Sequence, residues 1–168
     1  MLREILTYPD PLLKRRAAPV SEITPEIRTL AADIAETMYA SEGIGLAAPQ
    51  VGEALRLVVA DVSGPEAREN LLVLVNPELE LCGEEIESEE GCLSVEDYRA
   101  PVRRSSRVKV KALDLEGRPL AFEAEDLLAV CLQHECDHLD GKLFIDRISR
   151  LKRGLYDAKV RKWARMSR

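Results

Sequence analysis

The feature that most constrains this chain is a pair of histidines. His134 and His138 are the only histidines among its 168 residues, and they flank a glutamate in the segment His134-Glu135-Cys136-Asp137-His138. On an α-helix, residues four positions apart share a face, so both imidazoles can bind one cation. Glu135 lies about 100° around the helix from His134, where it can handle a proton of a bound water. The pattern H-E-x-x-H on a helix is typical of metal hydrolases; the alternative is a chance spacing.

Length and composition indicate a globular protein. A chain of 168 residues, 46% hydrophobic and 32% charged, predicts one folded domain over 1–168 rather than a disordered chain. The longest clear apolar run, 71–75, is too short to cross a bilayer, and the N-terminus resembles neither a signal peptide nor a transit peptide. We therefore expect a cytoplasmic protein without membrane contact. Its four cysteines should be reduced thiols: Cys82, Cys92, Cys131 and Cys136.

Charge is divided unevenly along the chain. Residues 147–168 hold nine Lys or Arg against one Asp, a net charge of +8, whereas residues 1–146 hold 15 basic and 29 acidic residues, a net charge of −14. A basic tail on an acidic body often contacts nucleic acid or another polyanion. The alternative is a solvated helix face that keeps the protein soluble.

Periodicity of apolar residues predicts three helices and several strands. Thr24-Pro25 is a good helix start, and a helix is predicted over 25–40. The motif helix is predicted from Asp126 to Leu139, and because it is apolar on nearly every side it should be buried. A last helix is predicted over 147–165, part of the same catalytic domain, with a packing stripe of Ile148, Leu151 and Leu155.

Strands are predicted where apolar runs or alternation occur between turn residues. The predicted strands are 55–61, 71–75, 108–111 and 119–123, with a hairpin of 79–82 and 85–89 through Gly83 and an interruption at Asn76-Pro77. We expect an α+β fold in which antiparallel β-sheets pack around the central buried helix that carries the histidine motif. One helix should lie towards the N-terminus and another at the C-terminus.

A tetrahedral metal needs at least one further protein ligand. No third histidine exists, and the carboxylates downstream of the helix lie in no ligand motif. The best candidate is Cys92, in the segment Glu90-Gly91-Cys92-Leu93-Ser94, where a tight loop can project the thiolate. Two alternatives stay open: Cys92 is a buried apolar thiol, or Cys131, one turn before His134 on the same helix face, is the ligand.

Three segments together resemble a known family. Gly43-Ile44-Gly45-Leu46-Ala47-Ala48-Pro49-Gln50, Glu90-Gly91-Cys92-Leu93-Ser94 and Gln133-His134-Glu135-Cys136-Asp137-His138 resemble, in this order and spacing, the three motifs of peptide deformylases. The resemblance runs from Tyr8-Pro9-Asp10-Pro11-Leu12 to the basic C-terminal helix. One position departs from the family pattern: Glu96 stands where the family usually has proline, which concerns the turn beyond the site and substrate preference.

The resemblance implies a metal-dependent hydrolase. Such an enzyme removes the formyl group from the N-terminal formyl-methionine of nascent polypeptides and releases formate. It implies one Fe(2+) per chain, for which Zn, Ni or Co can substitute, held by Cys92, His134 and His138. A Cys/His/His set nevertheless binds zinc more tightly than ferrous iron. By the same resemblance, Glu135 transfers the proton, while the Gln50 side chain and the Leu93 backbone N–H stabilise the oxyanion.

The resemblance also predicts the substrate contacts. Ile44 and Gly45 would bind the main chain of an extended peptide, which suits an enzyme that must accept many sequences. Arg99 would lie near the far end of the peptide. The methionine side chain would meet Gly43, Ile44, Glu90, Leu127, Val130 and Cys131. The alternative for the first motif is a plain glycine turn with Gln50 as a surface amide.

Partners follow from the same reasoning. We expect formyl-Met nascent peptides as substrates and the ribosome as a partner through the basic C-terminal helix, with no sequence-specific binding of nucleic acid. Two other classes stay open: a zincin-type metallopeptidase with a third ligand downstream of the helix, and a non-catalytic zinc-stabilised module in which Cys131 is the fourth ligand.

Overall fold

Within residues 1–167, five strands form one antiparallel sheet whose order in space is their order in the chain. The computed structural model describes residues 1–167. The strands are β1 Gly45–Ala47, β2 Leu57–Ala60, β3 Leu72–Cys92, β4 Val95–Leu113 and β5 Pro119–Glu125. The long strands β3 and β4 are joined only by Leu93 and Ser94, so the tight loop expected around Cys92 is the turn of this hairpin.

The structure corrects the prediction for residues 71–89. Asn76 and Gly83, predicted as a break and a hairpin turn, lie within the single strand β3. Both have positive φ, 52° and 77°, and lie at the register shifts Val75/Glu78 and Cys82/Glu85 of the β3–β4 ladder. Such bulges absorb an extra residue without ending a strand, and for this reason turn residues there mimic a loop.

In the described part of the chain, four α-helices accompany the sheet: α1 Pro25–Ala40, the short α2 Gly64–Ala67, α3 Asp126–Leu139 and α4 Arg150–Met166. The predicted bounds of α1 and α3 are confirmed. The Thr24 hydroxyl accepts a hydrogen bond from the Ile27 N–H at 3.3 Å, which caps the start of α1. Short 3-10 helices lie at Pro11–Lys14, Ala48–Val51 and Phe144–Arg147.

Strand β2 is buried on both faces between α1 and α3. Leu57 and Val59 pack into the cluster that contains α1, while Val58 and Ala60 pack into the cluster that contains α3. This alternation follows from the two-residue period of a strand. In α3, every residue from Ala129 to Leu139 except Cys136 is buried. The α+β fold with a central buried motif helix is thereby confirmed, although the strands form one sheet rather than several.

The contact face of α4 differs from the predicted one. Of the predicted packing stripe, Ile148 just before the helix does pack against the core, but Leu151 and Leu155 are 75% and 65% exposed. The helix instead packs through Tyr156, which is 2% exposed, together with Val160 and Trp163. The spacing of the leucines did not predict this face, because α4 packs against the aromatic rings of Tyr8 and Tyr98. None of the helices in residues 1–167 has both the length and the apolarity that crossing a membrane requires.

Candidate active site

Three metal-ligating side chains converge at the end of the β3–β4 hairpin. Cys92 is the last residue of β3, and His134 and His138 come from α3. One donor atom from each lies within 4.8 Å of the other two, and Cys92 Sγ is 3.3 Å from His138 Nε2. A thiolate and two imidazoles are a ligand set that suits zinc or ferrous iron. The three residues therefore form a possible metal site.

Glu90 fixes the orientation of the His134 ring. Its Oε1 lies 2.8 Å from His134 Nδ1. Burial alone would raise the pKa of Glu90, but its bonds with Arg104 and His134 lower the pKa below the ordinary value. An ionised carboxylate can only accept, so Nδ1 carries a proton and Nε2 is the ring nitrogen that could bind a metal. The sequence analysis predicted Glu90 only as a contact of the methionine side chain and missed this hydrogen bond.

The His138 ring is neutral. Burial and the neighbouring His134 lower the pKa of His138 well below its ordinary value. Burial would also lower the pKa of His134, but its contacts with Cys92 and Glu90 raise that pKa well above the ordinary value. His138 Nδ1 is buried and has no hydrogen-bond partner among the described residues.

A buried arginine joins the hairpin to the motif helix. Arg104 donates to both oxygens of Glu90, from Nε at 2.7 Å and from a terminal nitrogen at 2.8 Å, and to Asp137 at 2.7 Å. Asp137 also accepts two hydrogen bonds from Arg147. Sequence reasoning missed Arg104, since nothing local pairs residues 90, 104 and 137. One feature of the sequence could have indicated it: Glu90 and Asp137 are acidic residues within motifs that were expected to be buried, and a buried carboxylate needs a cationic partner.

Glu135 combines burial with an unpartnered oxygen. It is 4% exposed, its Oε1 is 4.0 Å from His134 Nε2, and its Oε2 has no hydrogen-bond partner within residues 1–167. Burial raises the pKa of Glu135 to about 7, against the opposing effect of His134. A carboxyl group with a pKa near neutrality can both take and give a proton under cellular conditions.

Gln50 is a fixed, buried amide rather than the surface amide of the alternative interpretation. It is 1% exposed and lies in the 3-10 turn after β1. Its Oε1 accepts from the Ala47 N–H at 3.0 Å, which fixes the direction of Nε2. Nε2 then donates to Ser94 Oγ at 3.0 Å and lies 3.6 Å from Cys92 Sγ. The amide N–H groups are thereby held beside the candidate ligands.

A cavity of about 710 Å³ opens onto this site. Leu93, Gln50, His134 and Glu135 form part of its lining. All of the residues predicted to contact substrate line it as well: Gly43, Ile44, Gly45, Glu90, Arg99, Leu127, Val130 and Cys131. The structure thus brings the predicted site residues to one place, while their individual roles stay predictions.

Comparison with known proteins decides the family. The polypeptide deformylase family model matches residues 2–154. A peptide deformylase from Alkalilimnicola ehrlichii is 50% identical over 165 residues, covering 98% of this chain and 92% of that protein. One from Acinetobacter baumannii is 52% identical over 165 residues, covering 98% and 93%. The crystal structure of a peptide deformylase from Legionella pneumophila matches with a TM-score of 0.92 at 45% identity, covering 99% and 98%.

The chain belongs to the polypeptide deformylase family. It is a metal-dependent hydrolase that removes the N-formyl group from nascent peptides, as the resemblance predicted. The metallopeptidase and zinc-module alternatives are not supported. The module would need Cys131 as a fourth ligand, yet within residues 1–167 the clustered donors are those of Cys92, His134 and His138.

In this deformylase, Cys131 lies outside the cluster formed by the donor atoms of Cys92, His134 and His138. Its Sγ donates to the Ile44 carbonyl oxygen at 3.5 Å, and burial raises the pKa of its thiol well above the ordinary value. It packs against Gly45, where an added Cβ would lie 2.8 Å from Cys131 Sγ and 2.9 Å from Glu135 Oε1. A side chain at position 45 would therefore have to displace the side chain of Cys131 or Glu135.

Proposed function

We propose that this deformylase is an Fe(2+) enzyme in which Cys92, His134 and His138 hold the ion and Glu135 transfers the proton. The observation that supports it best is the convergence of one thiol and two imidazoles beside a buried carboxyl group that lines the cavity. A bound divalent metal would polarise the formyl carbonyl and lower the pKa of water. Ligand affinity alone favours zinc; the preference for iron rests on family resemblance.

Glu135 would take a proton from the attacking water and pass it to the leaving amine of methionine. Its pKa of about 7 and its unpartnered Oε2 support this assignment, because such a group can bind and release a proton near neutral pH. Hydrolysis then yields formate and a free N-terminal amine. General acid–base catalysis of this type accelerates a reaction by about 10²–10⁴-fold.

The developing negative charge on the formyl oxygen would meet two donors of the protein, Gln50 Nε2 and the Leu93 backbone N–H. Ser94 Oγ and the Ala47 N–H hold the Gln50 amide in advance. A donor fixed before the reaction need not reorganise during it, and loss of one such donor typically raises the barrier by about 3 kcal/mol.

The peptide main chain would bind along β1. This strand pairs only with β2 among the strands of the described chain, so its other edge can accept an extended peptide through backbone hydrogen bonds. Such backbone hydrogen bonds do not depend on which side chains the peptide carries. Specificity for formyl-methionine would come from the apolar part of the cavity, near Leu127, Val130 and Cys131.

Release of formate from formyl-Met-Ala-Ser, with metal analysis of the same sample, tests these roles. Glu135→Gln should keep its metal while formate release falls by about 10²-fold or more, because an amide cannot carry the proton. Glu123→Gln, an exposed glutamate on β5, is the matched control and should behave as wild type. Activity of Glu135→Gln within tenfold of wild type would show that another group transfers the proton.

We further propose that α4 docks on the ribosome. We also propose that the protein acts in the cytoplasm and forms one domain over 1–168, although residue 168 lies outside the described part of the chain. The solvent face of α4 carries exposed basic residues, which suit a polyanion: Arg150, Lys152, Arg161, Lys162 and Arg165. The four cysteines are free thiols, in keeping with a reducing compartment.

Co-sedimentation with ribosomes at low salt tests the docking proposal. Binding should weaken steeply as salt rises, because each phosphate contact releases counterions. A variant with Lys152, Arg161 and Lys162 changed to Gln should bind less, whereas the same change at Arg103, Lys109 and Lys111 on the sheet should not. Equal binding of both variants would mean that α4 is only a solvated helix. Deletion of α4 is unsuitable, because Tyr156 is buried.

A further inference from the structure

Three residues at the start of β4 leave the sheet ladder. Cys92 pairs with Val95 and Gly91 pairs with Arg99, so the segment 96–98, here called the lip segment, has no register partner on β3. Its central residue, Asp97, has a φ of 53°, in the left-handed region. An extra stretch of this kind bends a strand and redirects its side chains. Cross-strand hydrogen bonds of the β3–β4 ladder therefore do not fix the lip segment.

Helix α4 supplies the missing contacts. The Tyr156 hydroxyl donates to the Glu96 carbonyl oxygen at 3.0 Å. Lys159 Nζ lies 3.3 Å from both the carbonyl oxygen and the carboxylate of Asp97. Tyr156 is 2% exposed, whereas Lys159 lies at the surface, so the tyrosine is the stronger of the two attachments.

Aromatic rings reinforce this attachment. The Tyr98 ring lies between Tyr156, at a centroid distance of 4.9 Å, and Phe144, at 6.1 Å. Trp163 meets the Tyr156 ring edge-on at 6.3 Å, and Phe144 stacks on His134 at 6.1 Å. Ring pairs at such distances contribute a stabilising free energy in addition to that from the apolar area they bury. Contiguous packing thus runs from α4 through Tyr98 to the candidate metal ligands.

The lip segment is also a wall of the substrate cavity. Asp97, Tyr98 and the adjoining Arg99 line it. We propose that α4, acting through Tyr156, positions this wall and so sets the affinity for the part of the peptide that follows formyl-methionine. The inference rests on the proposed function, in which the cavity binds the formylated peptide. Tyr156 is a positioning residue in this scheme, since it touches the wall and not the substrate.

Kinetics on two substrates test the inference. Formyl-Met-Ala-Ser reaches past the methionine pocket, whereas formyl-Met amide does not. Tyr156→Phe keeps the ring but removes the hydrogen bond to Glu96. It should raise KM for the longer peptide by about three- to tenfold, the usual effect of one hydrogen bond, and leave kcat within twofold. KM for formyl-Met amide should not change. Lys159→Met should give the same pattern with a smaller rise in KM.

Leu155→Ala is the matched control, because Leu155 adjoins Tyr156 in sequence but is 65% exposed. It should match wild type on both substrates, and thermal unfolding of each variant shows whether the fold is intact. The inference is wrong if Tyr156→Phe leaves KM for the longer peptide unchanged, alters KM equally for both substrates, or lowers kcat instead. If wild type releases no formate from either peptide, the proposed function fails instead.

Discussion

Replacing Arg104 by leucine should destabilise this protein far more than replacing an exposed arginine of the same strand. Arg104 is 4% exposed and makes three charge-assisted hydrogen bonds, two to Glu90 and one to Asp137, at 2.7 to 2.8 Å. Leucine would fill part of the space but would leave two carboxylates facing the interior without this cation. A buried charge without its partner costs far more than the pair contributes.

The magnitude follows from which carboxylate loses more. Glu90 would keep only His134, while Asp137 would keep two hydrogen bonds from Arg147. Breaking a buried pair typically costs about 3–5 kcal/mol, and the remaining Arg147 places the loss near 3 kcal/mol. For a chain of this length, each kcal/mol lowers the unfolding midpoint by about 2–4 °C, so the midpoint should fall by about 6–12 °C.

Thermal unfolding of zinc-loaded protein at pH 7 measures the effect. Arg103→Leu is the control, because the Arg103 side chain is 78% exposed and its ion pair with Glu85, at 3.5 Å, is exposed as well; its midpoint should move by no more than about 2 °C. Arg104→Leu should also weaken metal binding by about 10–100-fold, since Glu90 orients His134. Equal midpoints for the two variants would refute the argument that the Arg104 pairs stabilise the fold.

Three further predictions concern the ligands, the edge strand and a second buried acid. Cys92→Ala should lose its metal and its activity, whereas Cys131→Ala should keep stoichiometric metal; metal analysis giving the reverse would reassign the ligand. Gly45→Ala should lower formate release at least tenfold, because its Cβ would lie 2.9 Å from Glu135 Oε1 and displace it. An unchanged kcat would show that α3 can shift to accommodate the added methyl group. Burial would raise the pKa of Asp61, but hydrogen bonds from Ser63 and Tyr39 lower it below its ordinary value. Its ionised form therefore stabilises the fold above the unfolded-state pKa of about 4, and this is lost as pH falls through the folded-state pKa. Asp61→Asn should be less stable than wild type at pH 7, with a gap in urea midpoint that narrows below pH ~4; a constant gap would contradict this.

Elements stabilised by local interactions were predictable from the sequence. The predicted bounds of α1 and α3 agree with the structure, because the 3.6-residue period of both helices and the Thr24 cap of α1 depend on residues close together in the sequence. The length of β3 was not predictable, because Asn76 and Gly83 look like turn residues and the pairing that absorbs them comes from β4. The contact face of α4 was predicted wrongly because the rings that Tyr156 packs against, those of Tyr8 and Tyr98, are far from it in the sequence.

The candidate site divides in the same way. Helical spacing alone placed His134, Glu135 and His138 together, whereas Cys92 and Cys131 could not be separated by spacing. Cys92 was favoured by its loop and by resemblance to a family. The contacts of Glu90 with Arg104 join residues 14 positions apart across a hairpin whose register depends on bulges. A charge pattern cannot specify such a pair, since from the sequence alone every arginine of the chain is an equal candidate for pairing with Glu90.

The buried ion pairs lie where the site is assembled from separate elements. The β3–β4 hairpin contributes Cys92, and α3 contributes the histidines, so their relative position depends on how the hairpin meets the helix. Arg104 joins the two, because it binds Glu90 on the hairpin and Asp137 on the helix. Glu90 in turn holds His134. A rigid ligand set needs its supporting residues to be fixed, and one arginine therefore links the stability of the fold to the geometry of the candidate metal site.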